Sequence, residues 1–358
     1  MSKHVLFYLF FVHALMANDA SSYVKKAIPF DKGPQRLSTA SKKFYQGLDE
    51  FLNEKYSVSY NSFITASKDQ KLTIEEKNTA LYNAALSLER SSKTDKAIKM
   101  YKDITKEKVS SQLVKDSYYR IGACCHKQKN WTCVIESLNN WKNSQTELSL
   151  VEEFEFRVRK GTAYFELESY RDVIDYLEAA VKVLKEQRSF LTLNAKNMGY
   201  PEEKITLLGL WAMEDLATSY VKVGDNIKLS YPSGNDNKTI LSHLNKQIDL
   251  KAYYYLKAED IYIEMLNQGD RDVATKGVHL LGELYKNIYK NLLESEIPPN
   301  IKHKKLEKEY IAELKETLKP LLKKAETCFL RNKDASYQYK FDNLWTEKSK
   351  AELLTLWN

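Results

Sequence analysis

Small and apolar positions recur in a fixed register along the first half of this chain. Gly47, Ala85, Gly122 and Gly161 each open the same series. Nine residues on stand Tyr56, Thr94, Trp131 and Tyr170, and twelve on stand Ser59, Ala97, Val134 and Val173. Sixteen on come Phe63, Tyr101, Leu138 and Leu177, and nineteen on come Ala66, Ile104, Trp141 and Ala180. The last three columns are spaced i, i+4, i+7, the stripe of one helix. The small residue of the first column belongs to a preceding helix and lets the two backbones approach closely. Each series therefore reads as a helical hairpin, with a polar turn such as Lys127–Asn130 between its arms. The ninth column, aromatic in three of the four, should cap the hairpin and pack into the next one. One hairpin cannot bury its stripe alone, so neighbours must stack, and a period of this length marks a solenoid.

Further along, the pattern loosens. The first pair is expected over about Ser41–Ser67, and Thr73-Ile74-Glu75-Glu76 has the spacing of a capping box opening the next helix. A fourth pair should end near Glu186, its second helix capped by Ser169 and Asp172, and residues 189–200 interrupt the register. Pro201 followed by acids reads as a helix first turn, running to about Val223. Tyr231-Pro232-Ser233-Gly234-Asn235-Asp236-Asn237 is a strong loop signal, so an insertion is expected at about 224–249. The partner helix is expected only from Leu250, with Ala258, Tyr262 and Met265 as its stripe. Pro298-Pro299 stops the next helix. A long helix over about Lys302–Arg331 should be kinked or divided by Pro320. The segment Phe341–Asn358, with Leu344, Trp345, Leu353, Leu354 and Trp357, reads as a terminal helix covering the end of the stack.

These columns resemble the tetratricopeptide (TPR) repeat, most clearly in Gly161, Tyr164, Tyr170 and Ala180, in Ser59, Phe63 and Ala66, and in Leu281-Gly282-Glu283-Leu284-Tyr285. The spacing departs from the usual unit of about 34 residues, because the first-column residues are 38, 37 and 39 apart. Arg157 and Lys160 also stand where apolar residues are usual, although Phe154, Val158, Gly161 and Phe165 supply a stripe shifted by one. The resemblance implies an all-α protein, a right-handed α-solenoid of about six TPR-like helix hairpins with a C-terminal capping helix. Four repeats would occupy 39–186, irregular hairpins 187–293, and long C-terminal helices with the cap 294–358. The irregular second half and the tryptophan-bearing tail also look like the TPR proteins in the cell envelope of gliding and predatory bacteria.

Composition agrees with an almost wholly helical chain, since 358 residues include only 11 glycines and 7 prolines. Lys3 and His4, the apolar run Val5–Met16, and the small, polar Ala17-Asn18-Asp19-Ala20 follow the order of a secretory signal peptide. The run is too short to span a bilayer. The expectation is a signal peptide over 1–17, cleaved after Ala17 or Ala20, then a flexible leader over 18–38. No cysteine follows the run, so no lipid anchor motif is present, and a periplasmic or secreted location is expected. Export permits disulfides. Of the four cysteines, Cys125 and Cys133 flank the turn of the third hairpin, with Cys124 as the alternative partner. The net charge of +7 is spread among mixed helix faces, which suits an envelope polymer or membrane surface better than nucleic acid.

No P-loop, dinucleotide fingerprint, nucleophile elbow or zinc-protease motif occurs. Adjacent carboxylates such as Glu152-Glu153 diverge on a helix and cannot flank a bond. No catalytic site, cofactor or metal is expected. The TPR resemblance implies instead a non-catalytic protein–protein interaction scaffold of the periplasm or cell envelope. Its partner segments would lie along the first helices, at Tyr82, Glu89, Arg90, Tyr119, His126, Lys127 and Phe165, where tyrosines offer apolar area with a hydroxyl. The competing expectation is a cell-wall module binding peptidoglycan or polysaccharide.

Overall fold

The computed structural model describes residues 34–35, 42–107, 109–144, 147–201, 203–232, 237–268, 270–298, 301 and 304–357. The expected signal peptide, and the leader apart from Pro34 and Gln35, lie outside the described residues. Thirteen α-helices and no strand are found among the described residues: α1 Lys42–Leu52, α2 Tyr56–Ser67, α3 Ile74–Arg90, α4 Thr94–Ile104, α5 Ser111–Lys127, α6 Trp131–Asn143, α7 Leu150–Glu166, α8 Tyr170–Asn197, α9 Glu203–Asn226, α10 Asn237–Leu266, α11 Arg271–Leu293, α12 Lys304–Tyr339 and α13 Leu344–Thr355. None of these is long and apolar enough to cross a membrane. The described helices divide into two compact units, one of residues 28–169 and 182–208, the other of 170–181 and 209–358.

In the N-terminal unit, helices α1 to α7 pack each against the next in chain order, and α3 also touches α5. The register read from the sequence is the register of the fold. The ninth-column residues Tyr56, Thr94, Trp131 and Tyr170 are each the first residue of a second helix, and all twelve residues of the three later columns are buried. A Cβ on Gly47 would fall 2.9 Å from the Phe63 ring, and one on Gly122 3.0 Å from Ser137 Oγ, so the first column does permit close approach. Two of the ninth-column aromatics turn back on their own hairpins: Tyr56 meets Phe51 edge-on at 5.2 Å, and Trp131 meets His126 at 5.1 Å. Tyr56 also packs against a cluster that includes Ala80, Ala84 and Leu86 of α3.

All four hairpin turns have the same main-chain form. Glu54, Ser92, Lys129 and Glu168, seven residues after the first column, have φ of 60°, 61°, 55° and 57°. The following amide bonds a carbonyl five residues back in each case, as Lys55 to Glu50 and Asn130 to Cys125. This is the Schellman closure, in which a left-handed residue just past a helix satisfies the last carbonyls. Glycine usually fills that place, and here none of the four does.

Helix starts follow side-chain chemistry. Thr73 with Glu76 and Ser149 with Glu152 form capping boxes at α3 and α7, whereas Ser169, at the N-cap of α8, makes no side-chain cap bond. Helix α8 continues past the expected end near Glu186, but Gln187 is non-helical (φ −133°, ψ 24°), so two helices meet there.

The other unit contains α10 to α13, with α11 packed against α10, α12 and α13, and α12 against α13. Helix α10 begins at Asn237, not near Leu250, so the expected insertion shrinks to a short connection whose residues 233–236 lie outside the described ones. Lys251, buried, donates to the carbonyls of Gly224 at 2.8 Å and Ile227 at 3.0 Å, closing the end of α9. Helix α12 runs through Pro320 as one element. Pro320 is exposed, so the carbonyl it leaves without a donor is open to water. Gly282 meets Phe329 so closely that a Cβ would lie 2.5 Å from the ring. The terminal helix α13 packs against α11 and α12 mainly with polar groups. Thr346 and Ser349 are fully buried while Leu344 and Leu354 are exposed. Asn332 donates to Thr275 O and Ser349 Oγ at 2.9 Å each, and Asn343 donates to Thr275 Oγ1 at 2.8 Å.

Candidate functional site

In three successive first helices of the N-terminal unit, polar side chains repeat two and six places before the small first-column residue. These pairs are Thr79 and Asn83 on α3, Asp116 and Arg120 on α5, and Glu155 and Arg159 on α7, and all six residues are buried. Spacing of i, i+4 puts each pair on one helix face. Buried polar groups must find partners, and those partners define the site.

At Asn83 the partner is main chain. The Gln35 N–H donates to Asn83 Oδ1 at 2.9 Å, and Asn83 Nδ2 donates to the Gln35 carbonyl at 2.8 Å. Gln35 Nε2 then donates to Asp116 Oδ2 at 3.0 Å, while Gln112 Nε2 donates to Asp116 Oδ1 at 2.9 Å. Gln35, which is not helical, is thus held between α3 and α5, with its N–H and C=O both gripped by the one carboxamide of Asn83. Leaving such a buried carboxamide without its partner costs about 1–3 kcal/mol.

Next to this lies a charge cluster joining α3, α4 and α5. Glu89 accepts from the Tyr101 hydroxyl at 3.4 Å and pairs with Arg120 at 3.6 Å and Lys127 at 3.2 Å. Burial raises the Tyr82 phenol to about 12, against the pull of Arg120. A second cluster lies between α5, α7 and the start of α9. Glu155 accepts from the Tyr119 hydroxyl at 2.6 Å and Arg159 Nε at 2.7 Å, with Lys204 Nζ 2.8 Å from its other oxygen. Burial alone would raise the Glu155 carboxyl, but Arg159, Lys204 and Tyr119 outweigh it and hold it at about 2. Lys204 also stands 3.6 Å over the Tyr200 ring, a cation–π contact. Lys115 pairs with Glu152 at 2.5 Å. The face therefore presents fixed, largely dehydrated donors and acceptors.

The residues expected to meet a partner divide into two groups. Tyr82, Glu89 and Tyr119 lie in the interior, so their aromatic and charged groups organise the face and are not presented to solvent. Tyr82 packs edge-on to Tyr101 at 5.4 Å, and Tyr119 against Trp141 at the same distance. The helical stripe that carries them turns inward, toward the second helices. Arg90 and Lys127 are exposed at the ends of their helices, and His126 and Phe165 are partly buried. Burial and the nearby Arg159 hold the His126 imidazole below its usual pKa. Asn83, Asp116, Arg120, Glu155 and Arg159 stand outside the residues expected from the sequence. Their signal is a polar pair at constant offset from the small column, which on one helix alone reads as a solvated face.

Cys125 and Cys133 are joined across the third turn, with Cα atoms 5.8 Å apart, and Cys124 and Cys328 are free and buried. Lys160, where an apolar residue is usual, buries its stem and donates to Asn139 Oδ1 at 2.7 Å.

Neither a protein-family model nor a curated protein matches this sequence. Among solved structures the chain is similar to a tetratricopeptide repeat protein from Parabacteroides merdae ATCC 43184, at 12% identity over 88% of this chain and 98% of that one, with a TM-score of 0.35. It is also similar to a Rap protein complexed with competence and sporulation factor, at 14% identity over 88% and 96% of the two chains, with a TM-score of 0.27. Likenesses this distant assign no residue a role. The hairpin register and its buried columns are those of an all-α protein built from repeated helical hairpins.

Proposed function

We propose that the chain is a non-catalytic interaction scaffold of the cell envelope that holds an extended segment of a partner protein against the polar face of α3, α5 and α7. The observation that carries this reading is the two-point grip of Asn83 on the main chain of Gln35. An extended backbone leaves its N–H and C=O groups free to be read in this way, while neighbouring side chains choose among sequences. Asp116 supplies that choice by favouring a hydrogen-bond donor, and the buried charges beyond it are already fixed, which lowers the ordering cost of binding. The bridge between Cys125 and Cys133 supports an exported location, because such bonds persist in oxidising compartments.

A displayed library of unstructured peptides, selected on the purified protein, tests the reading. Selected sequences should share a carboxamide or other donor at one position and bind the Asn83→Ala variant at least about tenfold more weakly, the equivalent of about 1.4 kcal/mol. Affinity that survives this change would place the site elsewhere. Salt-sensitive pelleting with purified peptidoglycan, in the absence of any peptide selection, would favour the cell-wall module instead.

A further inference from the structure

We infer that Gln35 is an internal competitor: the chain's own leader occupies, in cis, the place that a partner segment takes on α3 and α5. The inference rests on the reading above and adds a regulatory step to it. Gln35 makes three hydrogen bonds to side chains 48 and 81 residues further on. All three are polar, and two involve only main-chain atoms of the leader. An anchor of that kind is exchangeable, because any other extended backbone offers the same N–H and C=O. Asn83 is fully buried and directs both ends of its carboxamide to Gln35, so its hydrogen bonds are completed by main chain that the helices themselves do not provide.

The connection to the first helix is short. Six residues separate Gln35 from Lys42, where α1 begins. A segment tethered this closely has an effective concentration in the millimolar range. A partner in trans must outcompete it, and its apparent affinity is its intrinsic affinity multiplied by the fraction of molecules in which the site is vacant. The leader therefore sets a threshold, selecting partners that bind more than one hairpin. Gln35 Nε2 on Asp116 also indicates what such partners carry, a carboxamide or another uncharged or cationic donor at the matching position.

The test uses the full chain and a fluorescein-labelled synthetic peptide of residues 29–41 of this same sequence. Two leader variants empty the site by different means. Gln35→Glu sets a carboxylate against Asp116, and Gln35→Pro removes the N–H that Asn83 accepts. Both lie outside any helix. By fluorescence polarisation the peptide should bind each variant at least tenfold more tightly than it binds the unaltered chain, and adding Asn83→Ala should abolish the gain. Equal affinity for the variants and the unaltered chain would overturn cis occupancy while leaving the peptide site in place. Absence of binding to both variants would overturn the site itself, and the inference with it. In the unaltered chain the Gln35 amide should exchange slowly with solvent and lose that protection in Asn83→Ala; fast exchange in the unaltered chain refutes occupancy directly.

Discussion

Replacing Glu155 with Gln keeps the side chain's shape and removes its charge, which isolates the electrostatic part of the cluster between α5, α7 and the start of α9. Glu155 is fully buried, and its carboxyl is held at about 2 against an ordinary value of 4.5. At about 1.4 kcal/mol per unit, that difference stabilises the fold by about 3 kcal/mol when the group is ionised in both states. The sign follows from the depressed value. The contribution is fully present above pH 4.5 and is lost as pH falls toward 2, with about 2 kcal/mol gone by pH 3. At neutral pH, Glu155→Gln removes the carboxylate that Arg159 and Lys204 share in the interior, at a cost of about 3–5 kcal/mol. Urea unfolding followed by circular dichroism, at intervals from pH 7 to pH 3, measures both quantities. The gap between the unaltered chain and Glu155→Gln should exceed 2 kcal/mol at pH 7 and narrow by about 2 kcal/mol at pH 3. A gap below 1 kcal/mol at neutrality, or one that does not change with pH, would refute the reasoning.

Other perturbations probe other elements. Gly282→Ala places a methyl group against the fully buried Phe329 ring and should destabilise by about 1–3 kcal/mol; an unchanged thermal midpoint would show that α11 and α12 are not in such close contact. In the unreduced protein, a thiol reagent should modify no cysteine while the chain is folded and two, Cys124 and Cys328, after denaturation. Reduction of the Cys125–Cys133 bridge should cost about 2–3 kcal/mol for a loop of this length, and four reactive thiols without reduction would exclude the bridge. Burial, with Lys348 and Lys286 outweighing Glu352, lowers His279 to about 4. Its neutral form is favoured by folding, so stability is complete above pH 6.5 and declines as pH falls toward 4. A nuclear magnetic resonance titration of this imidazole with a midpoint at 6 or above would contradict its position beside Ser349 and Trp345.

What could be read in advance was whatever helix geometry imprints at short range. The columns from Ser59 to Ala180 are buried because a stripe at i, i+4, i+7 has one inward face, and Gly47 and Gly122 are small because rings and hydroxyls press on them. The first half of α10 is hidden by the loop signal at Tyr231–Asn237 just before it, although Ile240, Leu244 and Ile248 recur four residues apart. The left-handed turns gave no sign because no glycine stands at Ser92 or Lys129. Tyr82 and Tyr119, expected to face a partner, are buried, since an aromatic three residues before a small one fits either an inner or an outer face. The contact of Gln35 with Asn83 and Asp116 leaves no periodic trace at all. It joins residues 48 and 81 positions apart through two carboxamides and a carboxylate, and only the folded chain brings them together.

The uniform turn has a practical consequence. Glu54, Ser92, Lys129 and Glu168 occupy equivalent places in four consecutive hairpins, and all four are exposed. Backbone bonds define the bend, so the chemistry of these side chains is free to change. Spectroscopic probes attached there in pairs would act as evenly graduated marks along the array. The distances between them would measure how far, and through what angle, each hairpin is displaced from the one before it.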